Sequence, residues 1–185
     1  IQKLDEIEVI FIDDGSTDGT LEYLENINLQ CKVLKNGVNK GLAFSLNKAI
    51  AIAQSQLIMR LDSDDEMLPD RVVHQLQTIE RLEVDILAGG IDLVGKKFIS
   101  YEVTHENVKR LLKYRNPLVH PTILFKKNIW QKLDGFDESY KRAQDFHFWC
   151  GAAEHDFQFF IDKKPVIRHH PNKTRNILSL SLIHI

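Results

Sequence analysis

Apolar positions recur along the first half of this chain in two alternating rhythms. A β-branched and aromatic run over residues 8–12 predicts a buried strand that stops at a cluster of Asp, Gly, Ser and Thr. A helix is predicted from about Asp18, with Leu21, Leu24 and Ile27 on one face, then a short strand over residues 31–34 and a turn over residues 36–41. Leu42, Leu46, Ala49, Ile50 and Ala53 fall at helical spacing, and residues 57–61 follow as an apolar strand. Pro69 and Asp70 open a third helix that carries Val72, Val73, Leu76, Ile79 and Leu82. Strand-then-helix alternation implies an α/β fold: a mostly parallel sheet flanked by helices, with ligands gathering at the carboxyl ends of the strands. Beyond Val84 the pattern predicts strands over residues 85–94 and 118–125, helices over 106–114 and 144–154, and a last strand over 157–161.

Composition narrows the class. The 185 residues, 43% of them hydrophobic, suffice for one ordinary domain with a core. A net charge of -2 without long basic runs gives no electrostatic case for nucleic acid. Cys31 and Cys150 stand in no metal or redox spacing, which fits buried thiols in a reducing compartment. No apolar run reaches the length that spans a bilayer. Residue 1 is Ile and the first strand follows almost at once, so a preceding strand is expected to be missing. Residues 180–185, Leu-Ser-Leu-Ile-His-Ile, match the translation of a common sequencing adapter and read as a non-native tail, leaving residues 1–179 as a single domain.

Two constellations carry candidate chemistry, and both lie at predicted strand ends. In Asp13-Asp14-Gly15-Ser16-Thr17-Asp18-Gly19-Thr20, paired carboxylates accept hydrogen bonds from base N–H and ribose hydroxyl groups, while the glycines allow close backbone approach. Asp18 is read as a helix cap. In Asp62-Ser63-Asp64-Asp65, crowded carboxylates repel unless a cation sits among them, and hard oxygen donors suit Mg²⁺ or Mn²⁺. Taken alone, either loop is as well explained by capping or a solvated surface; two at successive strand ends point to a site. Most of the aromatics Trp130, Phe146, Phe148, Phe157, Phe159 and Phe160 are read as core, with Trp149 and Tyr140 kept as acceptor-side contacts. His120 is read as either pocket wall or core.

Residues 9–20, Asn39-Lys40-Gly41 with Asn47, and residues 61–69 resemble successive motifs of family 2 glycosyltransferases, in family order and spacing. The resemblance continues through Asn116-Pro117-Leu118-Val119-His120-Pro121-Thr122, Gly135-Phe136-Asp137-Glu138, Gln144-Asp145 and Arg168-His169-His170-Pro171. It implies the GT-A fold with a central mixed sheet, and inverting transfer of a sugar from a nucleotide-diphosphate-sugar donor to a glycan or lipid-linked saccharide acceptor. By the same resemblance Asp14 contacts the nucleobase, with Asp13 beside it, and Asn39, Gly41, Asp62 and Ser63 line the nucleotide-sugar. Asp62 and Asp64 form the DxD motif that holds Mg²⁺ or Mn²⁺, His170 (or His169) is a late metal or diphosphate contact, and Asp145 is the general base. The family's Glu-Asp pair reads Gln144-Asp145 here, which keeps the base and removes its neighbouring carboxylate. The implied setting is bacterial surface glycan synthesis, lipopolysaccharide or capsule, in the cytoplasm at the inner face of the membrane, with peripheral membrane association through segments outside this chain.

Two rivals stand beside this reading. A haloacid-dehalogenase-like phosphatase also places aspartates and Gly-Thr after a strand, but there the acids directly precede Gly-Thr, whereas Gly15-Ser16 intervene here. A non-catalytic nucleotide-sugar-binding fragment is the other.

Overall fold

The computed structural model describes residues 7–94 and 101–170. The expected preceding strand and the tail at residues 180–185 lie outside them, as does Pro171. In chain order the elements are β1 (Ile10–Asp13), α1 (Thr20–Glu25), β2 (Lys32–Lys35), α2 (Leu42–Ile52), β3 (Leu57–Met59), β4 (Asp65–Met67) and α3 (Arg71–Leu82). They continue with β5 (Ile86–Leu93), α4 (His105–Leu112), a 3-10 turn at His120–Thr122, β6 (Leu124–Lys126), α5 (Lys127–Lys132), α6 (Gln144–Glu154) and β7 (Phe159–His169).

The strands are arranged as a parallel β1-β2 pair and a five-stranded mixed sheet in the order β3-β6-β5-β7-β4. The sheet is mixed, as the family resemblance implies, and less parallel than strand-helix alternation alone suggests. Within the larger sheet only β5 and β7 run parallel, while β3-β6, β5-β6 and β4-β7 are antiparallel. Strand-helix alternation is local, whereas β6 comes from far along the chain to insert between β3 and β5, a pairing that the local rhythm does not encode.

Three other departures have local causes. The strand expected over 118–125 shrinks to β6, preceded by the 3-10 turn in which Pro121 sits, because proline offers no N–H to a ladder. The last strand runs on to His169 through Lys163, Lys164 and Pro165, which break its hydrophobic alternation; β5 accommodates them by register shifts around Gly90, opposite Pro165. Helix α5, six residues long, is too short to show a periodicity.

The main core joins Ile10 and Ile12 of β1, Leu46, Ala49 and Ile50 of α2, Ile58 of β3, and an aromatic cluster of Phe125, Phe136, Phe148 and Trp149. Phe136 and Phe148 stack at 4.3 Å between centroids. Trp149 is fully buried, so its reading as an acceptor contact is corrected: it packs edge-on against Phe125 and Phe148. Tyr140 is exposed and stacks on His147 at 4.6 Å.

Asn47 ties this core together. Its Oδ1 accepts from Trp130 Nε1 (2.9 Å) and Phe136 N (2.8 Å), and its Nδ2 donates to the Phe136 carbonyl (2.8 Å). Gly135 turns at φ 86° beneath it, where a Cβ would meet Asn47 Oδ1 at 2.7 Å. Replacing Asn47 by Ala strands two donors and an acceptor, and we expect Asn47→Ala to cost about 2–4 kcal/mol of stability, measured by urea denaturation.

Candidate active site

The first acidic loop is built by its own backbone. Strand β1 ends at Asp13, whose carboxylate accepts from Gly15 N (3.2 Å) and Ser16 N (3.2 Å), closing a turn that Gly15 enters at φ 85°. Asp14 reaches across to the second turn, accepting from Lys40 N (2.7 Å), Gly41 N (2.9 Å) and Asn36 Nδ2 (2.8 Å). A Cβ on Gly15 would lie 2.7 Å from Asn39 N, so the two turns meet backbone to backbone. Asp13, Asp14, Asn39 and Gly41 are thus brought together. Both acids are buried, at 4% and 6% exposure, and neither presents a carboxylate free for the nucleophilic attack a phosphatase needs. Asp18 accepts from Thr20 N and Oγ1 in the turn that precedes α1, whose N-cap is Gly19, so the helix-cap reading of Asp18 is corrected by one residue.

The second loop follows β3. Carboxylate oxygens of Asp62, Asp64 and Asp65 lie within 4.8 Å of one another, with Ser63 between them in sequence. Burial raises Asp62, and the negative charges of Asp65 and Asp64 raise it further while Arg60 opposes them. Asp65 is likewise raised, by burial first, with its bond to His169 working the other way. Three hard oxygen donors so close that they disfavour one another's ionisation fit a small divalent cation. Asp64 makes no hydrogen bond or ion pair among the described residues, which leaves its carboxylate the least committed of the three.

The late histidines divide between two acids. The register of β4 on β7 sets Asp65 opposite His169, and Nδ1 of His169 lies 2.6 Å from Asp65 Oδ1. His170 Nε2 is instead 3.6 Å from Glu66, outside the three-carboxylate group. The sequence reading named His169 only as a second choice and did not anticipate β4, whose three residues Asp-Glu-Met carry no strand signal.

Beneath the acids lie two arginines that composition did not single out. Arg60, 5% exposed, forms an ion pair with Asp62. Arg71, 1% exposed, donates from Nη2 to the Arg60 carbonyl (2.8 Å) and from Nε to Gln75 Oε1 (2.9 Å). Burial pushes Arg71 down to about 9, so it stays charged at neutral pH. Gln75 Nε2 then donates to the Thr122 carbonyl at 2.9 Å, and Thr122 Oγ1 to the Val119 carbonyl at 2.7 Å. A buried polar chain thus runs from the acidic loop to the turn containing His120. That histidine packs against Phe136 and Trp149; burial first and the Arg60 charge second push it well below its ordinary value, so it is neutral. His120 is half-buried, a position that suits a pocket wall backed by the aromatic core.

Asp145 stands in the first turn of α6, where an acid favours the helix. The helix starts from Ala143 at φ 59°, a strained conformation for a residue with a Cβ. Asn116 Nδ2 donates to Asp145 Oδ2 at 2.8 Å, while Asn116 Oδ1 accepts from Leu118 N at 3.1 Å. The amide is held on one side by the backbone of the segment that leads into the His120 turn, so its other side fixes one carboxylate oxygen, and among the described residues Oδ1 has no hydrogen-bond partner. Gln144 is buried at 7% exposure, where a carboxylate would need a partner of its own.

Among the described residues no helix is long and apolar enough to cross a membrane. The sequence profile of Glycosyl transferase family 2 matches residues 2–149. An uncharacterized glycosyltransferase of Methanocaldococcus jannaschii is 29% identical over 181 residues, covering 92% of this chain and 62% of that protein. The O-antigen biosynthesis glycosyltransferase WbnJ of Escherichia coli is 26% identical over 157 residues, covering 80% of this chain and 61% of its own. The chain therefore spans about three fifths of these relatives. In structure it superposes on S. aureus TarS 1–349, crystallised with UDP-GlcNAc, with a TM-score of 0.75 at 23% identity, covering 94% of this chain and 52% of that one. This likeness identifies the architecture as the GT-A type seen in TarS. The profile match across most of the chain agrees with the order of acidic loops, Asn116-Asp145 pair and His120 turn just described: the chain belongs to glycosyl transferase family 2.

Proposed function

We propose that the protein transfers a sugar from a nucleotide-diphosphate-sugar to an acceptor hydroxyl by a single displacement that inverts the anomeric centre. The observation that carries this reading is the pairing of two different acid environments. One is a three-carboxylate group suited to a cation, at Asp62, Asp64 and Asp65; the other is a lone carboxylate, Asp145, positioned by Asn116. Mg²⁺ or Mn²⁺ held by Asp62 and Asp64 would neutralise the charge gathering on a departing nucleoside diphosphate. Asp145 takes the proton from the acceptor hydroxyl as its oxygen bonds to the anomeric carbon and the bond from that carbon to the diphosphate breaks. Asp13 and Asp14 shape the floor of the nucleotide site with Asn39 and Gly41, and Ser63 lies between the two cation-holding acids.

The relative named for O-antigen biosynthesis supports a surface-glycan acceptor. The UDP-GlcNAc complex of the structural relative supports a nucleotide-sugar donor. The test is to offer the intact protein UDP-, GDP- and dTDP-sugars with Mn²⁺ and a panel of saccharide acceptors, following nucleoside diphosphate release. Acceptor-dependent release from one donor class is expected. Release of inorganic phosphate from aryl phosphates, with none from any nucleotide-sugar, would contradict the reading.

A further inference from the structure

Arg60 occupies an unusual place for a permanent cation. It is 95% shielded from solvent, and among the described residues its Nε and Nη1 have no hydrogen-bond partner and its one ion pair is to Asp62 at the edge of the acidic group. Its guanidinium places a positive charge directly beneath the acidic group. Behind it Arg71 grips the Arg60 carbonyl and adds a second buried positive charge with its own unpartnered Nη1. Three carboxylates against two guanidiniums leave a net charge of about -1 (3 negative less 2 positive). So small a charge holds a free dication poorly, whereas a diphosphate supplies the missing negative charge and oxygen ligands.

We propose that Arg60 is the internal counter-ion of the acidic cluster, standing against Asp62 where a cation would otherwise be drawn, so that the divalent ion binds with the nucleoside diphosphate and not alone. Arg60 is on this account a positioning residue: it acts through Asp62 and does not touch the donor. Arg71, Gln75 and Thr122 hold it at its station. The inference rests on the cation site of the proposed function.

The test reads Mn²⁺ itself. Loss of the free-ion electron paramagnetic resonance signal is followed as Mn²⁺ is titrated into the intact protein, without nucleotide and then with UDP, GDP or dTDP. Wild type is expected to bind Mn²⁺ weakly until a nucleotide is added. Arg60→Met, which keeps the stem and removes the charge, should bind Mn²⁺ alone at least about tenfold more tightly, and Arg60→Lys should resemble wild type. Arg60→Gln, which also removes the charge, should bind Mn²⁺ alone as tightly as Arg60→Met and decides if Arg60→Met does not fold. Unchanged or weaker Mn²⁺ binding by the folded charge-removing variant overturns the proposal. Wild type that takes up no Mn²⁺ with any of the nucleotides overturns the cation site as well, an outcome distinct from failure of the counter-ion role alone.

Discussion

Asp145→Asn is expected to lower kcat by about 10²–10⁴ while leaving nucleoside diphosphate affinity within twofold to threefold of wild type. The substitution keeps the size of the side chain and can still accept from Asn116 through its amide oxygen, so the geometry at the start of α6 survives. What disappears is the ability to accept the acceptor's proton in the transition state. The split between catalysis and binding is the informative part, because Asp145 lies outside the acidic group that would meet the diphosphate. Asn116→Ala should show a smaller fall in kcat, since it frees the carboxylate to rotate and removes no base. Steady-state kinetics with calorimetric binding on the same preparations checks both. Equal losses in binding and turnover would move Asp145 to a structural role.

Asp64→Asn is the other large effect. Asp62 is engaged by Arg60 and Asp65 by His169, so Asp64 brings the uncommitted negative charge to the cluster. Its neutralisation should abolish cation-dependent nucleotide binding and, with it, turnover by at least about 10²-fold. Folding should be unaffected or slightly improved, because removing one of three crowded carboxylates relieves repulsion. The same crowding gives a pH dependence. Burial and mutual repulsion hold Asp62 and Asp65 above the ordinary aspartate value, so protons compete with the cation at a higher pH than they would at exposed acids. Cation affinity should therefore be fully present at neutral pH and begin to fall, on acidification, before the ordinary aspartate value of about 3.9 is reached.

Asp62, Asp64 and Asp65 were legible in the sequence because three carboxylates crowd into four residues after an apolar run, and a second acidic loop closes another predicted strand. Their partners were not. Arg60 sits inside a run that reads as an apolar strand, and Arg71 at a helix start reads as unremarkable surface; nothing local says that both are buried and that one grips the other's backbone. Asn116 and Asp145 are 29 positions apart, and Asp65 and His169 are 104 apart, so their pairing is a product of the fold. The helices α2, α3, α4 and α6 were recoverable within a few residues, since each shows a 3.6-residue rhythm over at least two turns. Strand order was not, because β3, β4 and β6 have three residues each and owe their places to neighbours distant in sequence. Asn47, singled out in the sequence only as part of a family motif, hydrogen-bonds among the described residues to Trp130, Phe136 and Glu138.

The most direct test of the account is calorimetric titration of the intact protein with UDP, GDP and dTDP, each with Mn²⁺ and again with EDTA. The account predicts that one of the three binds with Mn²⁺ present and that the heat disappears with EDTA. Binding that ignores the chelator, or no binding of any of the three, would contradict a cation-dependent nucleotide-sugar site at Asp62 and Asp64.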